Sequence, residues 1–71
     1  MPTFRYLGFL GPKDSKIGVF DGEGGLTLAR IGDVVDDDFR VAEFKFDKVV
    51  FGYVDERYKD EKAELTMSPR Q

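Results

Sequence analysis

Apolar residues in this chain fall in short runs with a two-residue period, punctuated by glycine, proline and clustered acids. That period places alternate side chains on opposite faces of a strand. Six strands are predicted. The first runs from Phe4 to Leu10 and is apolar on both faces, so its period does not select a core side. Gly11-Pro12-Lys13-Asp14-Ser15 reads as a turn, because proline presets φ and Asp or Ser closes turns with its side chain. The second strand, Lys16 to Asp21, sets Ile17 and Val19 against Gly18 and Phe20, and Asp21-Gly22-Glu23-Gly24-Gly25 then supplies a hairpin loop.

The third strand is Leu26 to Arg30. A Gly32-Asp33 turn follows, with positive φ expected at Gly32 and the Asp33 carboxylate expected on the N–H groups that come after it. Beyond the acids Asp36, Asp37 and Asp38 come the fourth strand, Phe39 to Phe46, and the fifth, Val49 to Val54. The sixth, Ala63 to Met67, is the clearest one-sided pattern: Ala63, Leu65 and Met67 alternate with Glu64 and Thr66. Seven of the eight residues from Asp55 to Lys62 are charged with interleaved signs, which predicts a solvated loop, with a one-turn helix from Asp55 as the lesser reading.

Strand, tight turn, strand is the grammar of a β-meander. The expected fold is all-β: a small β-sandwich or flattened barrel of two antiparallel sheets, about six strands, spanning residues 4–67, with residues 68–71 as a polar tail. Expected core residues are Ile17, Val19, Leu28, Ile31, Val41, Phe44, Val50, Phe51 and Leu65, with Phe51 the central ring. Strand alternation forbids Val49, Val50 and Phe51 from sharing one face.

Composition sharpens this picture. A domain of 71 residues buries only about 60% of its unfolded surface. Its core must therefore be dense, and seven Phe with three Tyr supply large rings. The chain has no Cys and no His. The first absence excludes disulfides, thiolate chemistry and zinc–thiolate sites; the second removes the usual general base and the commonest metal ligand. A net charge of -3 disfavours a polyanionic partner, whose affinity comes largely from Lys and Arg. No apolar run reaches the roughly 20 residues that cross a bilayer.

Candidate chemistry is thin. Asp33 and Asp36 to Asp38 form an acidic cluster, but without the spacing of a calcium-binding EF-hand loop, and it reads as a solvated turn. The glycines of residues 21–25 lack the Lys-Ser/Thr of a phosphate-binding loop. Nothing among the 14 acids singles out a carboxylate pair for glycoside chemistry. Phe4-Arg5-Tyr6 and Phe44-Lys45-Phe46 interleave rings with cations, as base-stacking β-barrels do. Strand geometry also produces that pattern from core rings and exposed cations. No enzyme activity, cofactor, metal site or nucleic-acid partner is expected.

The order of short elements carries a resemblance. Tyr6-Leu7-Gly8, Lys16-Ile17-Gly18-Val19-Phe20-Asp21 and Ala29-Arg30-Ile31-Gly32-Asp33-Val34-Val35 come first. Phe39-Arg40-Val41-Ala42-Glu43-Phe44, Lys48-Val49-Val50-Phe51 and a closing Ala63-Glu64-Leu65-Thr66-Met67 follow. Together they resemble the periplasmic domain of the PilP family of type IV pilus assembly lipoproteins, and its relative, the homology-region domain of type II secretion protein C. The likeness runs from about Phe4 to Met67. The chain departs from it in a longer charged loop at residues 55–62 and in lacking the lipid-bearing Cys or membrane helix, which leaves open which of the two machines it serves.

The resemblance implies a non-catalytic periplasmic scaffold, excised from an inner-membrane-anchored protein and touching the membrane only through an anchor outside this chain. Its implied partners are a secretin N-terminal domain and inner-membrane assembly proteins. A meander has edge strands that offer unpaired N–H and C=O groups. The doubly apolar first strand nominates Arg5, Leu7 and Phe9, with Arg30, as the partner-binding residues. The alternative is a cytosolic OB- or SH3-like module that binds nucleic acid or peptide.

Overall fold

A computed structural model describes residues 3–67. It is a sandwich of two antiparallel sheets that do not close into a barrel. The first sheet is β1 (Arg5–Leu10), β2 (Ile17–Gly22) and β3 (Gly25–Ala29), in that order. The second is β4 (Val34–Val35), β5 (Phe39–Phe44), β6 (Lys48–Tyr53) and β7 (Lys62–Thr66), also in order. A parallel bridge between Tyr6 and Met67 joins the β1 edge to the end of β7. The polar tail assigned to residues 68–71 lies outside the described residues.

The core is a chain of aromatic rings. Phe51 is fully buried, and its centroid lies 5.7 Å from Phe4, 5.8 Å from Phe20 and 5.6 Å from Phe39. Phe4 meets Phe20, Phe39 and Phe51 edge-on, an arrangement worth about 0.5–1.5 kcal/mol per pair beyond the area buried. Tyr6 stacks between Phe20 and Phe44. Val35, Val41 and Val49 fill between the rings.

Two β-bulges explain how the rings get inside. A bulge interrupts the β1–β2 register between Tyr6 and Gly8, so Tyr6 opposes Phe20 and Phe9 opposes Gly18. Tyr6 and Phe9, three residues apart, therefore both face inward. A second bulge between Val41 and Glu43 does the same for Val41 and Phe44. An extra residue in one strand reverses the alternation beyond it, and a strict two-residue period does not register this.

Four expectations need correction. First, β2 turns Gly18 and Phe20 inward, which leaves Ile17 and Val19 half-buried on the outer side. A Phe ring buries more area than an aliphatic side chain, and it takes the inner face. Second, Leu28 and Ile31 are 62% and 61% exposed. Leu28 pairs with the outward Val19, and Ile31 sits in the turn closed by the Asp33 N–H donating to the Arg30 carbonyl. Third, β5 ends at Phe44, and Phe46 is a fully exposed ring at the tip of the β5–β6 hairpin. Fourth, Gly32 has φ +96° as expected, but the Asp33 carboxylate accepts from the preceding Arg30 N–H at 2.9 Å.

Val34–Val35 forms a short strand absent from the six-strand reading. It is joined to β5 by a turn in which Asp36 and Asp37 adopt positive φ. The Asp55–Lys62 segment contains one 3₁₀ turn, Glu56–Tyr58, capped by Asp55, whose carboxylate accepts from the Arg57 N–H. Phe44, Val41 and Phe51 are buried as expected, and Leu65 packs against them half-buried. Val50 faces away from Val49 and Phe51, yet is buried on the outer side between Glu43 and Glu64.

Candidate functional site: an unpartnered apolar sheet face

The register of β1–β3 fixes what their outer face displays. Arg5, Asp21 and Leu26 share one cross-strand row, Val19 and Leu28 the next, and Leu10 and Ile17 the last. Leu7 is the bulge residue between them, and Arg30 extends β3 at the far end. The leucines stand in solvent: Leu26 is 68% exposed, Leu10 62% and Leu7 39%. With Leu28 and Val19 they make an apolar surface on a sheet whose other face already supplies its half of the core. Monomeric domains rarely expose such patches unless they bind something.

Polar groups border this surface. At one end the Arg5 guanidinium donates to Asp21 Oδ2 at 2.8 Å. The pair is exposed, so it fixes the side chains more than it stabilises the fold. At the other end Ile17, Leu28, Arg30 and Asp33 outline a shallow hollow of about 90 Å³.

The four residues nominated from the sequence do not gather at one point. Arg5 and Leu7 lie together on the outer face. Phe9 turns inward, half-buried, with its ring 6.0 Å from Phe44 and the Lys16 ammonium 4.5 Å above it. Arg30 is on the outer side, but at the end of the sheet opposite Arg5. Leu10, Ile17, Val19, Leu26 and Leu28 belong to this face and were not nominated. The sequence of β3 shows only that Leu26 and Leu28 alternate with Thr27 and so share a face; the pairing with Val19 turns that face outward.

Other concave regions are polar. A cleft of about 330 Å³ opens between the sheets at Phe4, Phe20, Thr27 and Asp36. Another of about 340 Å³ is lined by Asp36, Asp38, Tyr53, Asp55 and Tyr58. Among the described residues no group of three or more acids is placed to hold a metal ion. Asp55 is held below the usual carboxylate range, first by the hydrogen bonds from the Arg57 side chain and then by that from its backbone. Inside the core, the Tyr6 hydroxyl has no hydrogen-bond partner among the described residues, and burial pushes its pKa up to about 12.

No protein-family model matches the chain, and no curated protein sequence does. Solved structures do. A domain of the type IV pilus biogenesis lipoprotein PilP from Pseudomonas aeruginosa aligns with 93% of this chain and 84% of its own, at 22% identity and a TM-score of 0.73. The solution structure of PilP from the same organism aligns with 97% of this chain and 67% of its own, at 23% identity and a TM-score of 0.75. This chain has the fold of those PilP structures.

Proposed function

We propose that the chain is a non-catalytic docking domain of a type IV pilus assembly machine, acting in the periplasm as part of a membrane-anchored protein. The observation that carries this is the apolar outer face of β1–β3 on a domain with the PilP fold. Leu10, Leu26 and Leu28, each more than 60% exposed, contribute little to folding where they stand. Covering each would gain the larger part of the about 1.5–3 kcal/mol that full burial of such a side chain is worth. A secretin N-terminal domain is the partner proposed, and the contact would be small and reversible, at the low end of interface sizes. Arg5 and Arg30, at opposite ends of the face, would orient it by charge more than strengthen it.

A barrel-type nucleic-acid module is a poorer reading. The sheets do not close, and on this face the Arg5 guanidinium is already paired with Asp21.

Titration of the chain with a purified secretin N-terminal domain, followed by amide chemical shifts, tests the proposal. Shifts confined to β1–β3 and abolished by Leu7→Asp in a folded protein are expected. Shifts that fall on β5–β7, or none at saturating partner, would overturn it.

A further inference from the structure

The sandwich has four edge strands, and three are blunted. β1 is bulged at Leu7 and bridged to Met67. β4 has only two residues. β7 carries Lys62 and Glu64. Short length, bulges, charges and covering segments are the usual devices that stop an edge from pairing with another chain. β3, Gly25-Leu26-Thr27-Leu28-Ala29, has no charge, no proline and no bulge.

Its free hydrogen-bonding groups can be assigned. Gly22 and Gly25 flank a two-residue turn and are paired, so they exchange both hydrogen bonds. Alternation then points the N–H and C=O of Thr27 and Ala29 at β2, and those of Leu26 and Leu28 away from it. Arg30 would follow outward, but its N–H donates to Asp33 Oδ2 at 2.9 Å and its carbonyl accepts the Asp33 N–H at 3.0 Å. No turn or side-chain hydrogen bond found among the described residues reaches Leu26 or Leu28.

From this edge we infer that β3 pairs antiparallel with β3 of a second copy of the chain, making one six-stranded sheet. The strand is chemically symmetric about Thr27, which favours a second copy over an unrelated strand. Antiparallel self-pairing centred there sets Leu26 against Leu28 of the other copy, twice, and Thr27 against Thr27. The Leu pairs take the hydrogen-bonded positions, which the free N–H and C=O groups require. Cross-strand apolar pairs add to the ladder, and no like charges meet. Glu23 in the β2–β3 turn precedes the strand and Arg30 follows it, so each copy brings its cation beside the acidic turn of the other. The two apolar outer faces would merge into one doubled surface. The inference stands apart from the pilus reading, since it uses only the edge.

A five-residue edge is a small contact, so the dimer should be weak and in fast exchange. Sedimentation velocity on the full chain at rising concentration should show the average mass climbing toward twofold. Thr27 is exposed, so Thr27→Lys and Thr27→Glu should each fold, and each should stay monomeric because like charges meet on the axis. An equimolar mixture of the two should regain the mass increase. A wild-type chain that stays monomeric at the highest concentration, or a Thr27→Lys chain that associates like wild type, overturns the inference. If either variant misfolds, wild-type amide exchange decides. The Leu26 and Leu28 amides should become protected as concentration rises, and unchanged exchange would refute the pairing.

Discussion

The outer faces of the two sheets differ in a way their inner faces do not. The inner faces, rings with Ala29 on β1–β3 and rings with Val35, Val41 and Val49 on β4–β7, interlock in one core. On the outside, β4–β7 shows what a half-solvated antiparallel sheet needs. Arg40 and Lys62 flank Gly52, Glu43 and Glu64 flank Val50, and Lys48 donates to Glu64 at 3.0 Å. On β1–β3 the equivalent positions hold Leu10, Leu26, Leu28 and Val19, with Arg5 and Asp21 at one end. Solvent and foldability select the first arrangement, and neither explains the second. Apolar side chains that the core does not use are best explained by a surface that is covered part of the time.

That contrast can be broken at the core first. Phe51→Ala should cost about 3–5 kcal/mol, enough to unfold a domain of this size, because the ring contacts Phe4, Phe20 and Phe39 together. A variant that melts within a few degrees of wild type would mean that the two sheets do not share this core.

Gly18→Ala comes next. A methyl there would stand 2.5 Å from the Phe44 ring and 2.9 Å from Phe20. Overpacking of this kind costs about 1–3 kcal/mol, and urea unfolding would measure it. An unchanged midpoint would contradict the close approach of β2 to the opposite sheet.

Tyr6 sharpens the same region through pH. Its pKa is raised from 10.0 to about 12, by burial. The unfolded chain therefore loses this proton first as pH rises. The related stability, on the order of 2–3 kcal/mol at 1.36 kcal/mol per unit, is intact below pH 10 and lost as pH climbs toward about 12. Tyr6→Phe removes a hydroxyl unpartnered among the described residues, so it should leave stability at pH 7 equal or higher by about 1–3 kcal/mol. It should also flatten the loss between pH 10 and 12. Tyr6→Phe destabilisation at pH 7 would show that the hydroxyl has a partner.

The smallest effect should come from the apolar face itself. Leu28→Ser should change stability by no more than about 0.5 kcal/mol, the range for exposed positions. A larger loss in thermal unfolding would return Leu28 to the fold and weaken the contrast.

Much of this was legible in the sequence and some was not, for identifiable reasons. The all-β class, six of the seven strands, the Asp21–Gly25 hairpin and the central Phe51 follow from period, turn residues and ring size. The Val34–Val35 strand was hidden because two residues have no period. Alternation does not select an inward face of β1, because the bulge at Leu7 turns both Tyr6 and Phe9 inward, and the inward face of β2 is misread because Gly18, which reads as empty, makes room for Phe44. The same bulge places Leu7 outward and Phe9 inward, so the surface could be suspected from the surplus of apolar residues on β1 but not drawn. Leu28, expected in the core, is exposed because Val19 beside it faces out, a fact of pairing that the β3 sequence does not contain.

The account rests on the outer face of β1–β3 being a docking surface and that of β4–β7 being solvated. The most direct test measures folding and binding together for two variants: Leu7→Asp/Leu10→Asp on the first face and Thr66→Asp on the second. Each is melted and titrated against a secretin N-terminal domain. Both should melt within about 8 °C of wild type, since exposed substitutions change stability by about 0.5 kcal/mol each and 1 kcal/mol shifts Tm by about 4–8 °C. Only the β1 variant should lose binding. A folded β1 variant that binds as wild type does, or a Thr66→Asp variant that loses binding equally, would contradict the account.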